Sequence, residues 1–425
     1  MNSTQRVFAA LAREIPDRVP VFECSLASNI IDALAPGGTL EDVVDRYDLD
    51  AVCHREAYRY EEVDRDKQFF RDEWGIVVRL EENVMPSPVG HPVRSEADFE
   101  KLVPPDPRDP FRLAKHATAV ARYKREKPVV LGMTDAFAIP WKLRGMDAFL
   151  VDLLDNPGFA RRIIALVVDY NCRLVQHAAD VGVDIVRLTD DYAFNSGPFM
   201  SPDMWVEFIQ PGLRQIVEVA HCAGLKVVKH CCGNLAGLAE PILDTGVDGL
   251  HPIQPLPTQN LADFKRRFGH RVCLIGNVDC IDVLCRDSAE LVEAEVRRCL
   301  REGAAGGGYM IASSNAFHSG TLPQNLGRMV EAARKHQRIV QTGSQQRSDS
   351  KFRTACEMVR SGRIGKLETI LVGIPGPNPP GEPVADGRIA AHPFTRPTWN
   401  SRISYASRFR RTLQRRWPRT SGAAI

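Results

Sequence analysis

Lys229 to Asn234 reads KHCCGN and closes an apolar run, GLKVVKHCC. On a strand, residues two apart project to the same side. His230 and Cys232 therefore present an imidazole nitrogen and a thiolate to one point, a donor pair suited to Zn²⁺ or a similar soft-to-borderline cation. Cys231 faces the other way on the same reading. Plain packing is the alternative use of these sulfurs, because free cysteine behaves as a small hydrophobe.

Such a pair needs a scaffold that brings other ligands to it. Short apolar runs recur along the chain, each followed by a helical pattern: 18–23, 50–56, 128–134, 183–190, 225–232, 247–253, 271–278 and 307–314. Continuous rather than alternating apolarity suits strands covered on both faces, as in a parallel sheet. Eight such units predict an α/β fold, a (β/α)₈ TIM-like barrel. Residues 57–127 are too long for one crossover and predict an insertion after the second strand, with an extra strand or hairpin in 72–84. One helix is well marked. Ser201 stands at an N-cap before Pro202, Gly224 stops the run, and Pro211 should divide it. In such barrels reacting groups collect where strands end. Read in order, those ends carry Glu23, His54, Asp135, Asp190 and Asp191, His230 and Cys232, Gln254, Asn277 and Asp279, then Ser313, Ser314 and Asn315. The clustering predicts an active site at one rim.

Composition sets the class. Hydrophobic residues make up 44% and charged residues 25%, the balance of a soluble globular chain. The net charge of +2 is lopsided: 396–425 holds eight Arg and no Lys, Asp or Glu, leaving 47 basic against 53 acidic residues in 1–395. Overall charge therefore gives no reason to expect nucleic acid. No secretory signal, no membrane span and eleven irregularly spaced Cys together predict a reducing cytoplasm.

From about residue 128 to 336 the chain resembles the uroporphyrinogen decarboxylase superfamily, and within it the methylcobamide-dependent methyltransferase branch. The resemblance is carried by DDYAFNSGPFMSPDMWVEFIQPGL (190–213), HCAGLKVVKHCCGN (221–234), DTGVDGLHPIQP (244–255), LIGNVDCIDVL (274–284) and GGGYMIASSNAFHSGTLPQNLGRMVEAA (306–333). PDRVPVFE (16–23) and DEWG (72–75) extend it. The resemblance implies a TIM-like barrel over 1–336 and a zinc site that activates a thiol for methyl transfer from a corrinoid. His230 and Cys232 match its His-x-Cys pair. Ser313 and Ser314 stand where that branch has its later Cys, so the third ligand falls to another residue, with His318, Asp191 or Glu23 as candidates. By position in the resemblance, Asp191 is the catalytic acid that holds substrate or accepts a proton; a cap or salt-bridge role is the alternative. Asp135, Gln254, Asn277 and Asp279 are expected to bind substrate, with loop capping for Asp135 and packing for Gln254 as the other uses. His251 reads as a core histidine.

A corrinoid protein and a small-molecule methyl donor or acceptor are the implied partners. The decarboxylase branch is the second reading. It grips tetrapyrrole carboxylates with N-terminal arginines, and VFECSLASNIIDALAPGG (21–38) has no Arg or Lys. A corrinoid- or metabolite-binding barrel without chemistry is the third. Residues 337–373 resemble a fragment of the glucose–fructose oxidoreductase family through VQTGSQQRS and VRSGRIGKL. Without a strand–GxGxxG–helix unit no NAD(P) binding is expected. Residues 374–425 form a low-complexity, Arg-rich tail expected to be disordered.

Overall fold

A computed structural model describes residues 1–81 and 86–336. The oxidoreductase-like fragment at 337–373 and the tail at 374–425 lie outside the described residues. Seven parallel strands form one curled sheet: β1 (Val52–Arg55), β6 (Val129–Met133), β7 (Ile185–Leu188), β10 (Lys226–His230), β11 (Gly249–His251), β12 (Cys273–Ile275) and β13 (Tyr309–Met310), neighbours in that order. β2 (Tyr60–Asp64), β3 (Phe69–Asp72), β4 (Val77–Arg79) and β5 (Ser87–Gly90) make a separate antiparallel sheet in the insertion after β1. A two-stranded ribbon, β8 (Ala193–Phe194) with β9 (Gly197–Pro198), follows β7. Seven of the eight apolar runs thus become strands, and the insertion holds four strands where the sequence suggested one or two.

The eighth run, 18–23, is not a strand of its own but fills the eighth position. Val21 bridges Ile311 in parallel. Phe22 N–H donates to Ile311 O at 2.8 Å, and Ile311 N–H to Pro20 O at 2.9 Å. On the other side, Asp50 N–H donates to Val21 O at 2.9 Å. Pro20 has no N–H, which limits the ladder this segment can build. Buried Asp50 holds it in place, accepting from Val21 N at 2.8 Å, Arg6 Nη1 at 2.7 Å and Arg18 Nη1 at 2.7 Å.

The interior is filled by Phe22, Ala51, Cys53, Val130, Ile185, Val228, Cys273, Ile275, Met310 and Ala312, capped at the base by Val7, Ala10 and Leu11 of helix Ser3–Leu11. Outside, the second core packs the strands' other faces against the helices. The helix expected after Ser201 is divided as predicted, into Pro202–Phe208 and Gln210–Cys222, and Ser201 Oγ caps Met204 N–H at 3.2 Å. Among the described residues, no helix is long and apolar enough to cross a membrane.

Candidate metal centre at the strand ends

β10 alternates sides as its spacing requires. Val228 faces the barrel interior with His230, while Val227, Lys229 and Cys231 face outward. Beyond the strand end, Cys232 Sγ lies 3.4 Å from His230 Nε2. The chain after β7 brings in a third group: Asp191 Oδ1 is 3.7 Å from His230 Nε2 and accepts from Cys232 N–H at 2.7 Å. All three donor atoms fall within 4.8 Å of one another. Ligands at Zn–N, Zn–O and Zn–S lengths on a tetrahedron stand roughly 3.3–3.6 Å apart, and the two separations from His230 Nε2, 3.4 Å to Cys232 Sγ and 3.7 Å to Asp191 Oδ1, are close to that spacing.

Two neighbours share the far nitrogen of the His230 ring. Arg187 Nη2 is 2.9 Å from Nδ1, and His251 Nδ1 is 2.7 Å from the same atom. A guanidinium only donates, so while Arg187 holds Nδ1 the neutral ring carries its proton on Nε2. With His251 as the acceptor the proton sits on Nδ1, and Nε2 is left as a free ligand atom. The tautomer able to bind metal is the one His251 supports. Burial, then the Arg187 charge, hold both imidazoles well below their ordinary pKa, so both rings are neutral.

The two cysteines differ in surroundings. Burial first, then Asp191 beside it, push the half-buried Cys232 thiol well above its usual value. Cys231 is fully enclosed; its sulfur accepts from Tyr192 N–H at 3.3 Å, and burial raises its pKa to about 12. Cys232 is the one in reach of a ligand.

The other residues singled out by the sequence are spread around the rim. Asp135 is wholly buried and ion-paired to Lys229 at 2.7 Å, with the Tyr192 hydroxyl on its other oxygen at 2.6 Å. Together these contacts make an internal clamp. Gln254 accepts from Gly233 N–H at 2.8 Å and donates to Asn195 at 3.0 Å, so it ties the loop after β10 to the β8–β9 ribbon. Asn277 and Asp279 line a cleft of about 370 Å³ with Arg298 and Glu295, and Asn277 Oδ1 accepts from Arg298 at 2.7 Å. They face the helix Ala289–Gly303 instead of the three-donor group. His318 sits against Cys285 Sγ at 3.7 Å and Cys280 O at 3.1 Å. Glu23 accepts from Ser313 N–H at 2.8 Å and Ser313 Oγ at 3.1 Å, and Ser314 Oγ donates to Cys280 Sγ at 3.3 Å. The structure therefore brings Asp191 to the His230–Cys232 pair, and neither His318 nor Glu23. His54 pairs with Glu41 at 2.8 Å.

Arg187, Lys229 and His251 are what sequence reasoning missed in function. Each is embedded in an apolar strand run, and only the charge of Arg187 and Lys229 inside VDIVRLTD and LKVVKHCC marked them. Gly233 fixes the loop that carries Cys232. Its φ is +87°, and a Cβ there would lie 2.5 Å from Ala193 O. Gly233→Ala is expected to lower stability by about 1–3 kcal/mol through strained backbone, read as a fall in urea midpoint with unchanged slope.

Comparison with known proteins places this arrangement. The uroporphyrinogen decarboxylase family model matches residues 2–336. The chain belongs to that family. It is 26% identical over 261 residues to the uroporphyrinogen decarboxylase of Alkalilimnicola ehrlichii, covering 57% of this chain and 67% of that protein. It is 22% identical over 214 residues to the methylated-thiol–coenzyme M methyltransferase of Methanosarcina mazei, covering 50% of this chain and 55% of the relative. The solved structure of a methyltransferase from Methanosarcina mazei superposes with a TM-score of 0.63 at 20% identity, covering 79% of this chain and 99% of the other. This uroporphyrinogen decarboxylase family member thus shares its barrel with that methyltransferase, and the family includes both decarboxylases and methyltransferases.

Proposed function

We propose that this family member is a cytoplasmic methyltransferase that works with a corrinoid, using a zinc ion held by His230, Cys232 and Asp191. The observation that carries the reading is the convergence of one nitrogen, one sulfur and one oxygen donor within 4.8 Å at the strand ends. Three protein ligands with an open fourth position are the pattern of catalytic zinc. Bound there, zinc would supply Lewis acidity, holding a substrate thiol as its nucleophilic thiolate. The chain's own residues do the positioning. His251 holds the His230 ring through Nδ1, and Asp191 fixes the Cys232 main chain through its N–H. The Asp135–Lys229 clamp, with Lys229 also donating to Asp190 O at 2.7 Å, anchors the segment that carries Asp191. The methyl donor or acceptor is a small molecule, and a corrinoid protein would dock over the rim.

Uroporphyrinogen decarboxylation is the second reading, favoured by the 26% identity to the Alkalilimnicola ehrlichii enzyme. Metal analysis separates the two. One zinc per chain is expected in purified protein, reduced at least tenfold in His230→Ala and Cys232→Ala, together with transfer from methylcobalamin to a thiol. Metal-free protein that decarboxylates uroporphyrinogen would establish the second reading instead.

A further inference from the structure

Arg187 is 4% exposed, yet among the described residues no carboxylate forms an ion pair with it. Its guanidinium contacts Ser25 Oγ at 3.2 Å and His230 Nδ1 at 2.9 Å, and its Nε–H is buried with no hydrogen-bond partner. A buried cation with neither a counter-charge nor a full set of acceptors is costly, and native proteins keep one where a ligand completes it. Glu23 attracts Arg187 electrostatically, but its oxygens are taken up by Ser313.

A second arginine stands at the same level. In the strand registers, Gly132 of β6 is the partner of Arg55 on one side and of Arg187 on the other. In-register residues of parallel strands point the same way, so the two arginines flank a position that has no side chain. Their Cα atoms are two strand spacings apart, roughly 10 Å. The Arg55 stem passes over Gly132, where an added Cβ would be 3.5 Å from Arg55 Cγ. Arg55 also donates to Thr189 Oγ1 at 3.2 Å.

We propose that the slot above Gly132, between Arg55 and Arg187, is an oxyanion subsite that takes the carboxylate of the small-molecule methyl donor or acceptor. The fork of Nε and Nη on Arg187 suits a planar carboxylate. The assignment of that carboxylate to the methyl donor or acceptor rests on the function proposed above; the anion subsite itself does not, and it is tested without metal or turnover.

The test uses the full chain treated with chelator, with butyrate, butyramide and inorganic phosphate as probes at constant ionic strength. Calorimetric titration is expected to show saturable butyrate binding, at least tenfold weaker in both Arg187→Gln and Arg55→Gln, and none for butyramide. Phosphate is expected to bind at least tenfold more weakly than butyrate. A positioning role for Arg187 predicts a different signature, so melting is measured in parallel. The unliganded Arg187→Gln protein is expected to melt at or above the wild-type temperature, because an uncompensated charge has been removed. Butyrate binding within threefold of wild type in both variants, or equal binding of butyramide, overturns the proposal. Phosphate binding as tight as butyrate overturns the carboxylate assignment. Zinc content measured on the untreated protein reports separately on the metal reading, so either can fail alone.

Discussion

Lys229→Met is expected to destabilise the barrel by about 3–5 kcal/mol, the range for removing one partner of a buried ion pair. Both Lys229 and Asp135 are 0% exposed, and their charged atoms are 2.7 Å apart. Methionine matches the lysine stem in volume, so the loss is electrostatic and not a cavity. It strands the Asp135 carboxylate with only the Tyr192 hydroxyl and the Ala136 N–H for support, and takes a donor from Asp190 O. The ammonium also lies 4.2 Å above the Tyr192 ring, an attraction that disappears with it. Urea denaturation of Lys229→Met, Asp135→Leu and the double variant gives the coupling directly. The double variant should be more stable than the sum of the single losses predicts, since neither charge is then left alone. A single-variant loss below about 1 kcal/mol, the size seen for solvent-screened pairs, would falsify the clamp.

Glu23→Gln is expected to be a stabilising change at alkaline pH and nearly neutral in acid. Burial is the largest influence on Glu23 and raises its pKa to about 7, against the lowering effects of its Ser313 hydrogen bonds and of Arg187. The ordinary value is 4.5. Between the two, the folded chain holds a proton that the unfolded chain has released, so stability falls as pH rises. The contribution is fully present below about 4.5 and is lost as pH passes through about 7. At 1.36 kcal/mol per unit the span amounts to about 3 kcal/mol. Glutamine keeps a neutral acceptor for Ser313 and removes the titration. Relative to wild type, the variant should therefore gain about 3 kcal/mol between pH 4 and pH 8. Glu56 and Asp72, each raised to about 6 by burial, tilt the wild-type curve the same way, and Glu41, lowered to about 2 chiefly by His54, tilts it back. The difference between the two proteins isolates residue 23. A pH-independent difference in unfolding free energy contradicts the assignment.

The barrel was readable because a strand buried on both faces leaves an unbroken apolar run, and β1, β6, β7 and β10 to β13 all lie inside such runs. The segment 18–23 looked the same but was limited by its proline and reached only a bridge. The His230–Cys232 pairing was readable because two-residue spacing on a strand is a local property. What partners each residue was not. Asp135 and Lys229 are 94 positions apart, and nothing local distinguishes a clamp acid from a substrate acid. Asp191 joined the metal group through the turn after β7, a geometry set by how the Cys232 main chain approaches it. Arg187 was passed over because a charged residue inside an apolar run gives no sign of which side it faces.

The eighth stave has a temporal consequence. Glu23 and Ser313 are separated by 290 positions, and Val21 bridges Ile311 across nearly the whole described chain. During synthesis the amino-terminal arm emerges first and can be held only on its Asp50 side until residues 311–313 have cleared the ribosome. The nascent polypeptide therefore spends most of its translation as an open trough with its interior wetted. At elongation speeds of about 5–20 residues per second, that interval lasts on the order of half a minute.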